Sequence, residues 1–185
     1  MTLTDTPAAL VPEVGPDVRS DRLDAAGSAW TDRIAATPSS AQLTYRVTAL
    51  SAGSVASVIR AGKHEFVVDE PAALAGDDVA ASPVEYALGA LISCQIVVYR
   101  LFAQQLGVRV DDIVISAEGD LDARKLFGID ESVRAGFSQV RLDVRIEGPE
   151  SQERYDELRA AVDAHCPVLD LFTNPTPVAV TVSSS

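Results

Sequence analysis

The sequence predicts an α+β fold built from antiparallel sheets around a buried central helix. Three observations carry this. Three short alternating segments in the first half read as a meander. A long stretch then places apolar residues on every side of one helix. Two more alternating segments and an amphipathic helix follow it.

Residues 1–16 carry Pro7, Pro12 and Pro16 and no periodic apolar pattern, which predicts a flexible N-terminal tail. Over residues 17–40 a helical extension is expected. Val18, Leu23, Ala26, Trp30 and Ile34 recur at roughly helical spacing, and the helix should end ahead of Thr37-Pro38. The main domain is placed at residues 41–185. Leu43, Tyr45, Val47 and Ala49 alternate with polar partners, and Ser51-Ala52-Gly53-Ser54 reads as a turn. Val55 to Arg60 returns as a second strand, Ala61-Gly62 turns again, and Glu65 to Asp69 forms a third. A loop from Glu70 to Ala81 leads to the central helix.

Ser82, Pro83 and Glu85 supply that helix with an N-cap, a first-turn proline and the acidic member of a capping box. Ala87, Leu88, Leu91, Ile96, Val98 and Phe102 fall on different sides of it, so burial on all sides is expected, and Gly107 stops it. Strands at Val110 to Glu118 and Val140 to Glu147 are joined by the polar connection Gly119 to Ser138. An amphipathic helix over Ser151 to His165 gives way at Cys166-Pro167 to a short helix, Val168 to Phe172. Val178 to Val182 reads as a last strand.

Composition narrows the function. The chain carries 27 acidic against 15 basic residues, a formal charge of −12, which argues against phosphate backbones and anionic membranes as partners. The first twenty residues lack the basic start and apolar stretch of a secretory signal. The most apolar run, Tyr86 to Val98, is shorter than the roughly 20 residues that span a bilayer. A soluble, cytoplasmic protein without a permanent structural disulfide is therefore expected. Two Cys and two His, with His64 far from the rest, match no common zinc spacing, and no phosphate loop, dinucleotide fingerprint or nucleophile elbow is present. No metal and no cofactor is expected.

What remains is thiol chemistry or none. Cys94 sits inside the apolar helix, where a cysteine packs as a small hydrophobe or, given a cationic neighbour, acts as a nucleophile. Cys166 precedes a helix-starting proline. It is either a small capping residue or a thiol whose thiolate the helix N-terminus stabilises.

The segment from Ser82-Pro83 to Ser93-Cys94 resembles the cysteine-bearing helix of the OsmC/Ohr family. Asp69-Glu70-Pro71 with Leu74 and Gly76 upstream, and Gly136-Phe137 and Cys166-Pro167-Val168 downstream, resemble its flanking motifs. The similarity runs in order from about Gln42 to Val182. It implies an intertwined homodimer and a peroxidase acting on organic or inorganic hydroperoxides, recycled by an external dithiol. In that scheme Cys94 is peroxidatic and Cys166 resolving, and Glu85 is a further candidate that could equally do no more than close the capping box. Val84 stands where the family's peroxidases carry a glutamate. No arginine lies in Ser51 to Ser57, where theirs stabilises the thiolate; Arg46 and Arg60 flank that stretch. These two positions motivate an alternative: a non-catalytic relative that binds a small molecule or senses oxidation.

Overall fold

The computed structural model describes residues 11–184. The expected tail therefore lies largely outside the described residues, and residues 11–15 have no regular structure. Helix α1 spans Pro16–Ala36, with Pro16 in its first turn and Thr37 as its C-cap. It buries no residue fully. A single 3₁₀ turn, Pro38–Ala41, follows it.

Strands β1 (Val47–Ala52), β2 (Ala56–Ala61) and β3 (His64–Val68) form the antiparallel meander. Ala52 pairs with Ala56 around one turn and Ala61 with His64 around the other. Gly53 and Gly62 take the left-handed conformation those two turns require. This sheet is poorly covered. Val47 and Leu50 are 60% and 75% exposed, and the sheet meets the helices chiefly where β3 reaches Tyr86, whose hydroxyl donates to the Val67 carbonyl at 2.8 Å.

The loop from Asp69 to Ala81 is wound around one buried carboxylate. Asp69 accepts from the Asp77 and Val79 amides at 3.0 and 3.2 Å; backbone N–H groups, Glu70 foremost and then Val79, hold its pKa below the usual carboxylate value. Ala75 and Asp78 adopt left-handed backbone in this loop. Gly76 is required for a different reason: a Cβ there would lie 1.7 Å from the Glu70 carbonyl oxygen.

Helix α2 (Pro83–Leu106) begins with the capping box the sequence predicts. Glu85 Oε2 accepts from the Ser82 amide at 2.8 Å and from its hydroxyl at 2.6 Å. Gly107 closes the helix in the left-handed conformation. By length and composition alone α2 could cross a membrane, but its sides pack against α1, α3 (Gln152–His165), α4 (Pro167–Thr173) and β4 (Asp112–Asp120). Strand β4 pairs antiparallel with β5 (Gln139–Glu147). Val98, Tyr99 and Ala103 of α2, Ile113 and Ile115 of β4, Leu158 and Val162 of α3, and Cys166 form the core.

Two expectations need correction. The central helix is covered on one side only: Leu91, Gln95, Val98, Tyr99 and Ala103 are buried, whereas Ile96, Val97 and Leu106 remain 37–54% exposed. Second, Val178 to Val182 forms no strand. Val178, Val180 and Val182 are each more than 80% exposed and pair with no strand among the described residues. Both departures leave apolar surface without a cover.

Replacing Gly76 by Ala forces the Glu70 backbone to move, and a cost of about 3 kcal/mol in urea unfolding is expected. Gly27→Ala, in open space on α1, should instead gain up to about 1 kcal/mol. Equal effects would show that the close approach at Gly76 is not what fixes the loop.

Candidate active site

Cys94 lies midway along α2, on the flank that meets the junction between α3 and α4. Leu158 and Val162 of α3 anchor this packing against Val98 and Tyr99, and the His165 ring rests on Phe102 with centroids 4.5 Å apart. Chain direction reverses at Cys166, which is both the C-cap of α3 and the N-cap of α4. Pro167 suits the first position of α4 because it lacks the amide a helix start leaves unpaired.

This turn brings the two cysteines together. The Cys166 thiol and the backbone N–H of Val168 lie near enough to Cys94 to act on its thiol. Both are free thiols; Cys166 is only 2% exposed and Cys94 is half-buried. The Cys94 pKa is raised from its ordinary value. Burial is the largest cause, and the Val168 amide, which favours the thiolate, is outweighed by burial and the neighbouring Cys166. Val168 was invisible to sequence reasoning because its contribution is a backbone donor, fixed only once Pro167 starts α4.

No guanidinium acts on Cys94 within the described chain. Arg46 is exposed ahead of β1, and Arg60 is paired with Glu65 across the β2–β3 turn at 2.9 Å. Glu85 is nine residues before Cys94, hence about 13 Å along the helix and on its opposite side. It is engaged with Ser82, whose hydroxyl and amide hold its pKa down. Val84 is exposed in the first turn. His165 contacts the Ala161 carbonyl through Nδ1 at 2.7 Å and approaches neither thiol by hydrogen bond. Beside Cys94, Gln95 is 1% exposed, and its Nε2 has no partner among the described residues. An apolar-looking stretch of sequence hides such a residue, since only burial makes its amide conspicuous.

The OsmC-like protein family model matches residues 76–181, more than half of the chain, including α2, both cysteines and Gly76. The chain belongs to the OsmC-like protein family. No curated protein matches this OsmC-like chain. Among solved structures it is similar to the OsmC-like protein of Mycoplasma pneumoniae, with a TM-score of 0.63 and 16% identity over 71% of this chain and 89% of that one. The organic hydroperoxide resistance protein OsmC of Legionella pneumophila aligns with a TM-score of 0.55 and 20% identity, covering 70% and 89%. OhrB of Bacillus subtilis, an organic hydroperoxide resistance protein, gives 0.51 and 21% over 70% and 90%. At these identities the likeness establishes the OsmC-like fold of this chain. Helix α1 lies ahead of the residues that the family model matches.

If Glu85 is engaged only as a cap, Glu85→Ala, which removes the acceptor of the capping box, should lower the urea midpoint yet leave the rate of Cys94 alkylation by iodoacetamide unchanged. That rate should climb by up to about tenfold per pH unit between pH 6 and 8, without a plateau, because the raised pKa keeps the thiol protonated there. A plateau below pH 7 would contradict the assignment of burial as the dominant influence.

Proposed function

We propose that this protein is a thiol-dependent peroxidase that reduces hydroperoxides in oxidative-stress defence. The observation that carries the reading is the proximity of the Cys94 and Cys166 thiols, which share one core cluster at the α2–α4 junction. Membership in the OsmC-like family, and the structural likeness to two organic hydroperoxide resistance proteins, support it.

In this reading the Cys94 thiolate attacks one oxygen of a hydroperoxide. The O–O bond breaks, the sulfur is oxidised to a sulfenic acid, and the other oxygen leaves as an alcohol after taking up a proton. Cys166 then attacks the sulfenic sulfur, a disulfide forms and water leaves. An external dithiol reduces the disulfide and restores both thiols. Proximity of the two thiols lets the second step outrun overoxidation. The Val168 amide, donating at the start of α4, stabilises negative charge on Cys94 as it develops. Glu85 takes no part beyond the helix cap.

The working form in this proposal is a homodimer. The bare side of α2, the open faces of the meander and the alternating valines after Thr176 leave more apolar surface than one chain covers. A second copy would bury these surfaces and exclude water near Cys94, and the protein should sediment at twice its 19.5 kDa chain mass.

A second reading rests on the burial of Cys94, which raises its pKa, with no cationic group acting on it among the described residues. Under it the pair reports oxidation, or the fold binds a small molecule, without turnover. Steady-state consumption of cumene hydroperoxide with a dithiol reductant separates the two. Peroxidase action predicts that Cys94→Ser loses all turnover, while Cys166→Ser completes one oxidation and accumulates a sulfenic acid trappable by dimedone. Equal consumption by Cys94→Ser and wild-type protein sinks the peroxidase, as does a monomer with full activity for the dimer.

A further inference from the structure

Where α1 crosses the C-terminal end of α2, a 480 Å³ cavity opens between Arg19 of α1, Arg100 of α2 and Arg109 of the loop that follows. Three guanidiniums around one cavity are unexpected in a chain of net charge −12. Two of the three are held by neutral groups. Arg19 donates to the Asp111 and Val14 carbonyls, each at 3.3 Å, and Arg100 to the Val110 and Asp111 carbonyls at 2.6 and 3.4 Å. Such bonds orient a guanidinium without cancelling its charge.

The carboxylates nearby are fewer or farther. Asp111 pairs with Arg109 at 2.8 Å, Asp112 approaches Arg100 only to 4.0 Å and lies outside the cavity wall, and Asp17 lines the cavity in the first turn of α1. Arg100 is itself largely withdrawn from water, with 18% of its side chain exposed. Its affinity for its proton is reduced, first by burial and next by the charge of Arg19, so the two cations sense each other. An anion between them would relieve that repulsion. The rest of the wall is apolar, through Leu23, Ala103 and Val108.

We propose that this cavity binds a small organic acid, its carboxylate held by Arg19 and Arg100 and its aliphatic body against Leu23, Ala103 and Val108. The volume falls within the usual range of small-molecule sites, about 300–1,000 Å³, and leaves room for water beside a short-chain acid. A guanidinium pair suits a carboxylate because its donors match the two oxygens in one plane. The site is separate from the thiols, and it uses α1, which lies ahead of the part of the chain matched to the family. It thereby gives the helical extension a purpose that packing alone does not: α1 contributes Arg19, and Gln104 of α2 fixes its placement by donating to Ser20 Oγ at 2.8 Å and Asp24 Oδ1 at 3.0 Å.

Isothermal titration of the full chain with hexanoate, hexanol and inorganic phosphate tests the proposal. Hexanoate should bind at least tenfold more tightly than either hexanol or phosphate, since each lacks one half of the match. Arg19→Gln should weaken hexanoate binding by about 10- to 100-fold, the usual worth of a charge-assisted hydrogen bond. Arg19 lies on a helix with no fully buried residue, so that variant keeps its fold, which circular dichroism checks. Arg100→Gln should weaken binding similarly, and Cys94→Ser should leave it unchanged. No hexanoate binding, equal binding by Arg19→Gln, or phosphate binding as tightly as hexanoate would each overturn the assignment.

Discussion

A single constraint organises this molecule: α2 is apolar on every side, and one chain covers only one of those sides. α3, α4 and the β4–β5 hairpin take the side formed by Leu91, Val98, Tyr99 and Ala103. That packing is what carries Cys166 against Cys94, because the α3–α4 reversal must occur where α3 runs out along the flank of α2. The opposite side, with Ile96 and Val97, stays open to the second copy proposed above. Core formation and the placement of the candidate site are thus one event.

The electrostatics of the thiol pair follow from the same burial. An apolar helix deprives Cys94 of solvent and raises its pKa, and among the described residues the compensation comes from a backbone amide at the start of α4. Proline at position 167 makes that compensation possible by starting the helix immediately after Cys166. The surface ion pairs, such as Arg124 with Asp122 and Asp130, brace the long β4–β5 connection and lie far from this balance in energetic terms, each being exposed and individually weak.

Much of this was legible in the sequence where local rules govern. The capping box at Ser82 and Glu85, the stop at Gly107, the two glycine turns of the meander and the helix opened by Pro167 all depend on neighbours a few residues apart. The paired cysteines were legible only through their family resemblance, since 71 residues of chain separate them in the sequence and no spacing rule joins them. What failed was coverage. An all-round apolar helix and an alternating Val178–Val182 segment each state what must be buried or paired, but not which chain supplies the cover. Val168, Gln95 and the arginine cavity were illegible for a further reason: backbone donors, an orphaned amide and charges brought together by α1 exist only in three dimensions.

The most direct test is to treat the reduced protein with one equivalent of an alkyl hydroperoxide and map its disulfides by mass spectrometry, alongside a non-reducing gel. A Cys94–Cys166 bond within a single chain, formed within seconds, is the predicted product. Both thiols surviving in folded protein, or a bond that joins two chains, would contradict the claim that the α2–α4 junction is a peroxide-reducing pair.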